Sequence, residues 1–222
     1  MKVRMISYSK PSREMYEEGL LDVQELIAFC ARVSNPSNQF NTETSEKLIT
    51  YLIKHQHWSP LEMVSACLEI ETTRDIARQI LRHRSFSFQE FSQRYADPTK
   101  DLSFVLREAR LQDTKNRQNS IKTDDKELAR FWEEKQQAVI KASNEAYTWA
   151  VTNGIAKEQA RAVLPEGLTT SRMYMNGTLR SWIHFIQVRS DVSTQLEHRE
   201  IALECAKIIA EIFPMAENLV TK

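Results

Sequence analysis

The 222-residue chain lacks net charge, paired cysteines and long apolar runs, and each absence removes a class of function. Thirty Lys and Arg balance thirty Asp and Glu. No global field therefore draws the protein to nucleic acid or anionic lipid, and any grip on an anion has to be local. The three cysteines, Cys30, Cys67 and Cys205, are odd in number, far apart and set among apolar neighbours, with no Cys-x-x-Cys pair to suggest zinc or redox chemistry. Reduced thiols in a cytoplasmic protein fit that pattern. The N-terminus, MKVRMISYSKPS, is too polar for a secretory signal, and no apolar run approaches the length of a membrane span. Glycine and proline are also scarce, at 4 and 6 residues, and no linker is rich enough in them to mark a boundary. One domain over residues 1–222, long enough to bury a sizeable core, is the expectation.

Hydrophobic periodicity gives the coarse architecture. A short alternating start (Val3, Met5) precedes helical spacing from Asp22 through Val23, Leu26, Ile27, Cys30 and Val33, stopped by Asn35-Pro36. A second helix reads from Ser45 to His55. Ser59-Pro60 breaks it, and Val64, Ala66, Leu68 and Ile70 then alternate as a strand. The period returns to helical at Thr73, a plausible N-cap, with Arg74, Arg78 and Arg82 on the face opposite Ile76 and Ile80. Residues 97–125 are polar and poorly periodic, a surface excursion with room for a short helix near Phe104 to Gln112. Glu127 to Asn153 predicts a long amphipathic helix packed through Leu128, Phe131, Trp132, Val139, Ala142, Ala146 and Trp149, closed by Gly154. A short helix ends before Pro165. LTTSRMYM reads as a strand, Asn176-Gly177 as a turn, Thr178 as the cap of a helix ending at Arg189, and Ser193 as the cap of the last helix. The fold class is α+β: a helix-rich single domain with a central, mainly antiparallel sheet.

Within a neutral chain, LRHRSFSFQEFSQRY (residues 81–95) concentrates Arg82, His83, Arg84 and Arg94 among phenylalanines and hydroxyls. Arginines four apart on a helix repel by a few tenths of a kcal/mol per pair, and only Asp75 lies near in sequence to relieve them. Guanidinium forks suit phosphate and carboxylate oxygens, and Ser85, Ser87 and Ser92 add short donors, so a phosphorylated ligand is the natural reading. A solvated helix end with its phenylalanines in the core is the alternative. His55, His57 and Glu62 have the makings of a metal site, but the other histidines offer no second pair, and hydrogen-bonding roles fit better than a metal. Arg161, Arg172, Arg180 and Arg189 form a third basic region. There Arg189 ends an apolar helix, where a cation also suits the dipole.

The order Arg82-His83-Arg84, seven residues, Ser92, continued by Gln93-Arg94-Tyr95, resembles the signature of the flavin-dependent thymidylate synthases. Ala31-Arg32-Val33-Ser34 and His57-Trp58-Ser59-Pro60-Leu61-Glu62 upstream, with Ala160-Arg161-Ala162-Val163-Leu164-Pro165 and the helix ending at Arg189 downstream, are similar to further blocks of that family. The similarity spans about Cys30 to Glu200. It implies conversion of dUMP to dTMP, with methylenetetrahydrofolate supplying the carbon, FAD carrying reducing equivalents from NADPH, and a homotetramer whose active sites draw on several subunits. It assigns Gln79, Arg82, Glu90, Ser92, Gln93, Arg94, Arg161 and Arg189 to dUMP. It assigns Ser34, His57, Ser59, Glu62, Arg82, His83, Arg84, Gln89, Glu90, Arg180 and His184 to FAD or the folate route.

The two residues given catalytic roles are Arg189, as a fixed cation against the uracil, and Ser92, as a binding and polarising hydroxyl without a base to activate it. In this family hydride can pass from flavin to the uracil ring with no enzyme nucleophile, and no cysteine of the chain follows a proline or has a basic neighbour that would make a thiolate. Gln89 stands where many relatives have Asn, Met63 where His is common, and Ser193 near a position that is His in others. A single-stranded nucleic-acid binder is the competing reading, since Arg with Phe and Tyr also builds stacking platforms. The balanced charge and the three separated basic blocks argue against it. A helical scaffold is the third.

Overall fold

The computed structural model describes residues 1–221. Four strands form one sheet in the order β1-β2-β6-β3, every pair antiparallel: β1 (Lys2–Tyr8), β2 (Ser65–Thr73), β3 (Ser87–Glu90) and β6 (Thr170–Thr178). The pairing of β2 with β6 is the longest, running without a break from Ser65 opposite Thr178 to Thr73 opposite Thr170. Alternation sets the faces, as the sequence indicates. Ala66, Leu68 and Ile70 point with Met173 and Met175 into the core. Glu69 and Glu71 point the other way, where Arg4 grips Glu69 through two bonds of 2.7 and 3.0 Å and Arg172 holds Glu71 at 2.8 Å. A bulge between Met5 and Ser7 takes up one residue on β1.

Helices cover the inner face. The first two of the preceding segment are α1 (Arg13–Glu17), which periodicity does not reveal, and α2 (Val23–Ala31), whose Asp22 cap accepts from the Glu25 N–H. They are followed by α3 (Ser45–Lys54). A 3₁₀ turn, Ser59–Glu62, with Pro60 near its start, leads into β2. Then come α4 (Arg74–Ile80), α5 (Pro98–Asp101), α6 (Lys126–Thr152), α7 (Lys157–Ala160), α8 (Leu179–Arg189) and α9 (Leu196–Ala210). The core between sheet and helices is built on Ile76, Ile80, Trp182, Phe185, Ile186, Ile201 and Ile209, all at or near zero exposure. Buried Trp182 satisfies its indole N–H by donating to the Ala66 carbonyl at 3.0 Å. Among the described residues no helix is long and apolar enough to cross a membrane.

Five local expectations are corrected. The region near Phe104 to Gln112 is not a helix: Phe104 bridges to Thr169, and Arg110–Gln112 (β4) pairs with Ser120–Lys122 (β5) as a small hairpin. Asn176-Gly177 is not a turn but the end of β6, opposite Cys67 and Ala66. Glycine sits there for space, since a Cβ at 177 would lie 2.4 Å from the Phe86 ring. Ser193 does not cap α9. Its hydroxyl donates to Asp191 at 2.6 Å, and Gln195 takes the cap position. Thr73 occupies the N-cap of α4, but its hydroxyl donates to Asp75 rather than capping a backbone N–H.

The fifth concerns α6. Leu128, Phe131, Trp132, Val139 and Trp149 are exposed, and the helix packs on its own chain through Gln136, Ser143, Tyr147 and Ala150. A strip of apolar residues at 3.5-residue spacing is the kind of seam one helix offers another, and among the described residues nothing of this chain covers it.

Phe86 is 8% exposed and packs edge-on against Trp182, ring centroids 4.8 Å apart. A methyl at position 177 must displace that ring. Gly177→Ala is expected to lower stability by about 1–3 kcal/mol, read as a lower urea midpoint, with Gly177→Val worse. An unchanged midpoint for both would show that the ring moves freely.

Candidate active site

The residues between α4 and β3 hold the cations. After Ile80 the chain leaves the helix, His83 N–H bonds back to the Ile80 carbonyl at 3.0 Å, and Phe86 plugs into the sheet at Gly177. Between those two fixed points, Arg82, Arg84 and Ser85 have nowhere to go but outward. They line a cleft of about 430 Å³ together with Trp58, Arg180, His184 and Gln187. Of the residues expected around FAD, the cleft thus gathers Arg82, His83, Arg84, Arg180 and His184, with Glu62 at its edge bonded to Arg180 at 2.9 Å. Ser59 begins the turn that carries Glu62, and His57 stands just before it against Tyr51, ring centroids 6.0 Å apart.

Arg189, the last residue of α8, comes to the same place from the other side. Its Nε donates to His83 Nε2 at 2.8 Å, which requires a neutral His83 with its proton on Nδ1. Burial chiefly, then the neighbouring Arg189 and His184, holds the His83 pKa down to about 4, so the accepting nitrogen is bare at neutral pH. The Arg189 guanidinium is itself pulled down from its ordinary value by burial and by Arg82, the signature of two cations facing each other without an acid between them. Among the described residues no carboxylate lies within ion-pair distance of Arg82, Arg84 or Arg189. Acids are abundant in this chain, so leaving three adjacent guanidiniums without them costs stability and preorganises the site for an anion.

The other basic residues behave differently. Arg74 and Arg78 do not join Arg82 in one free cationic face. Arg74 is buried and pairs with Glu90 at 3.5 Å, while Arg78 reaches Glu90 at 3.9 Å and Glu166 at 3.7 Å. The only acid near this face in sequence is Asp75; the structure imports two more from β3 and the segment before β6. Glu90 also accepts from the Ser171 hydroxyl at 2.7 Å. Arg94 and Arg161 meet each other's surroundings at Glu158, Arg94 through its carboxylate at 3.3 Å and Arg161 through its carbonyl at 3.3 Å. Ser92 is half-buried, and its hydroxyl is approached by the Arg94 N–H at 3.4 Å. Gln93 is buried with its Nε2 unpartnered among the described residues. The dUMP set therefore divides in one protomer into a cleft group (Arg82, Arg189, with Gln79 behind them) and a second group about Glu90 and Glu158.

Two of the expected residues stand apart. Ser34 is exposed beyond α2 and does not line the cleft, and Gln89, opposite Tyr174 on β3, is exposed. Met63, another departure from the family pattern, is 57% exposed. Arg74 and Trp58 were not singled out from the sequence. Arg74 reads as one more cation of a series, and a lone Trp before Ser-Pro carries no periodic signal, so only the fold reveals that one clamps Glu90 and the other walls the cleft. The cysteines are all free. Burial pushes the thiols of Cys30, Cys67 and Cys205 up, and none lines the cleft.

Comparison with known proteins matches residues 19–215 to the family described as thymidylate synthase complementing protein. A flavin-dependent thymidylate synthase from Synechocystis is 50% identical over 214 residues, 96% of each chain. A probable flavin-dependent thymidylate synthase of Paramecium bursaria Chlorella virus 1 is 45% identical over 214 residues, again 96% of each. Among solved structures, a UMP/dUMP methylase, PolB from Streptomyces cacaoi bound with 5-Br UMP, superposes with a TM-score of 0.80 over 98% of this chain and 92% of that one. At 22% identity this likeness speaks to the fold. The α+β architecture, the order of the motifs and these matches lead to one conclusion: the chain belongs to the flavin-dependent thymidylate synthase family.

Proposed function

We propose that this protein methylates dUMP to dTMP, with methylenetetrahydrofolate as carbon donor and FAD reduced by NADPH. The observation that carries the reading is the cleft lined by Arg82 and Arg84, with Arg189 bonded to its His83, none of these three guanidiniums having a carboxylate within ion-pair distance among the described residues. A nucleotide phosphate and a flavin pyrophosphate are the anions such a site suits. The donors fit the cofactor: guanidiniums for the pyrophosphate, with Trp58 and His184 beside them for a flat ring. When bound, a reduced flavin supplies hydride to the uracil ring.

The chain's own part is binding and electrostatics. In this reading Arg189, whose bond to His83 fixes its orientation, stabilises negative charge on the uracil as the ring accepts hydride or attacks carbon. Among the described residues no histidine or lysine is bonded to Ser92, which favours a polarising over an attacking role. The thiols, all raised by burial above their ordinary value and none lining the cleft, support a route in which the protein supplies no nucleophile.

Assembly is part of the reading. The exposed seam of α6 and the division of the dUMP set between two groups favour a homotetramer in which subunits complete one another's sites. Ser34, outside the cleft of its own chain, then serves FAD in a neighbour's. The free thiols support a cytoplasmic setting.

Tritium release from [5-³H]dUMP should require FAD, methylenetetrahydrofolate and NADPH together, each omission abolishing it. Arg189→Ala should keep bound FAD yet lose turnover by roughly 100- to 1,000-fold, the effect of removing about 3–4 kcal/mol of transition-state stabilisation. Near-normal dTMP formation by that variant would defeat the assignment. Ser92→Ala should weaken dUMP binding and still make product, and a covalent Ser92 adduct found by mass spectrometry would contradict the polarising role. Sedimentation velocity should give about four times the 25.9 kDa chain mass. Trp149→Glu, at the C-terminal end of the exposed seam, should shift it to smaller species, and a tetramer indifferent to that change would place the contact elsewhere.

A further inference from the structure

Gln79 lies on α4 one turn before Arg82 and His83. A glutamine amide carries both donors and acceptors, and which of them meets a ligand depends on how the amide is turned. Here a chain of hydrogen bonds turns it in one direction. The chain starts at Glu197, an acceptor only. Burial pushes its carboxyl up, but hydrogen bonds from its own backbone N–H and from Gln195, with Arg107 and Arg110, bring it below the ordinary value. Its Oε1 is held by Arg107 Nη1 at 3.1 Å and by Arg110 Nη2. Its Oε2 accepts from Gln195 Nε2 at 3.0 Å, which leaves Gln195 Oε1 to accept from Gln79 Nε2 at 2.8 Å. Gln79 Oε1 therefore faces His198 Nδ1, 3.3 Å away, and the proton of that contact has to sit on Nδ1.

His198 is an odd residue to find there. It is fully buried on α9 against Phe185 and His83, ring centroids 5.8 and 6.3 Å away, with the Arg189 cation beyond. Its Nε2 has no hydrogen-bond partner among the described residues. A leucine would fill the place without burying a bare nitrogen. The one thing an imidazole adds is the N–H aimed at Gln79.

We propose that His198 is a positioning residue whose Nδ1–H locks the Gln79 amide, so that the site offers the nucleotide a hydrogen-bond donor beside Arg82 and not an acceptor. With Oε1 turned to His198 and one Nε2 hydrogen on Gln195, the second Nε2 hydrogen is what remains for a ligand. The groups it selects are carbonyl or phosphate oxygens, as on a uracil nucleotide, against an amino group, as on a cytosine nucleotide. This rests on the reading that the nucleotide binds at Arg82 and Arg189.

Two measurements on the whole protein test it. In ¹⁵N-histidine-labelled protein, the His198 ring, identified by its loss in His198→Asn, should show the Nδ1–H tautomer. Calorimetric titration with dUMP should then find binding weakened about tenfold by His198→Leu, the loss of one hydrogen bond. His198→Asn, which keeps an N–H near the Nδ1 position, should stay within about threefold of the parent. Gln195→Leu should weaken dUMP as His198→Leu does, and the double variant no further. Equal weakening by Asn and Leu in proteins that melt together, or additive losses in the double variant, would reduce His198 to packing and overturn the proposal. An Nε2–H tautomer in a protein that binds dUMP overturns the relay alone. An Nδ1–H tautomer in a protein that does not bind dUMP overturns the reading of the site and, with it, the use proposed for the relay.

Discussion

The pairing of β2 with β6 is the constraint on which the rest is hung. Nine residues of each strand are in register, and each strand runs into its helix without a loop: Thr73 into Arg74 and α4, Thr178 into Leu179 and α8. A slip of one residue would turn Leu68, Ile70, Met173 and Met175 outward and Glu69 and Glu71 into the core, so the hydrophobic pattern permits one register. That register fixes where both helices begin. It thereby brings Arg82 and His83, just past the end of α4, to Arg189 at the end of α8. The chemistry of the cleft inherits its geometry from a strand pair that contributes no side chain to its lining.

Charge is distributed with the same logic. Several basic residues packed against the sheet and its helices have been given an acid: Arg4 with Glu69, Arg74 with Glu90, Arg107 with Asp75 and Glu197, Arg172 with Glu71. At the cleft, Arg82, Arg84 and Arg189 have no such partner among the described residues, although Arg180 is paired with Glu62. A buried pair is weak evidence of stability, because the Coulombic gain is largely offset by desolvation. Its absence in one place, in a chain with as many acids as bases, is the more informative fact. The Glu197 carboxylate serves twice, holding the arginines of the 97–125 segment and setting the direction in which Gln195 and Gln79 are turned.

What the sequence disclosed follows from what is local. Strand β2 was legible because its alternation is strict, α8 because Thr178 caps it and its apolar residues recur at helical spacing, and the RHR-to-Ser92 signature because it is contiguous. Arg82, His83, Arg84, Arg180 and His184, named together by the resemblance, line one cleft. The failures are non-local. A glycine beside an asparagine has the local grammar of a turn, and only a ring arriving from residue 86 explains why Gly177 sits in a strand. Arg74 and Arg78 looked free because Glu90 and Glu166 lie far along the chain. The apolar stripe of α6 is legible as a stripe but lies exposed rather than in the core, since periodicity marks an apolar face and not what it packs against. His198 gave no signal at all: a single histidine in an apolar helix looks like any other until its neighbours are known.

The seating of Phe86 over Gly177 has one further consequence. Two positions 91 residues apart in sequence occupy one volume, because the ring stands where a β-carbon would be. Neither can change alone without loss. Across the descendants of this chain, a larger residue at 177 should be tolerated only in lineages where 86 has first become small, and the pair should drift as a unit while the arginines a few residues away stay put.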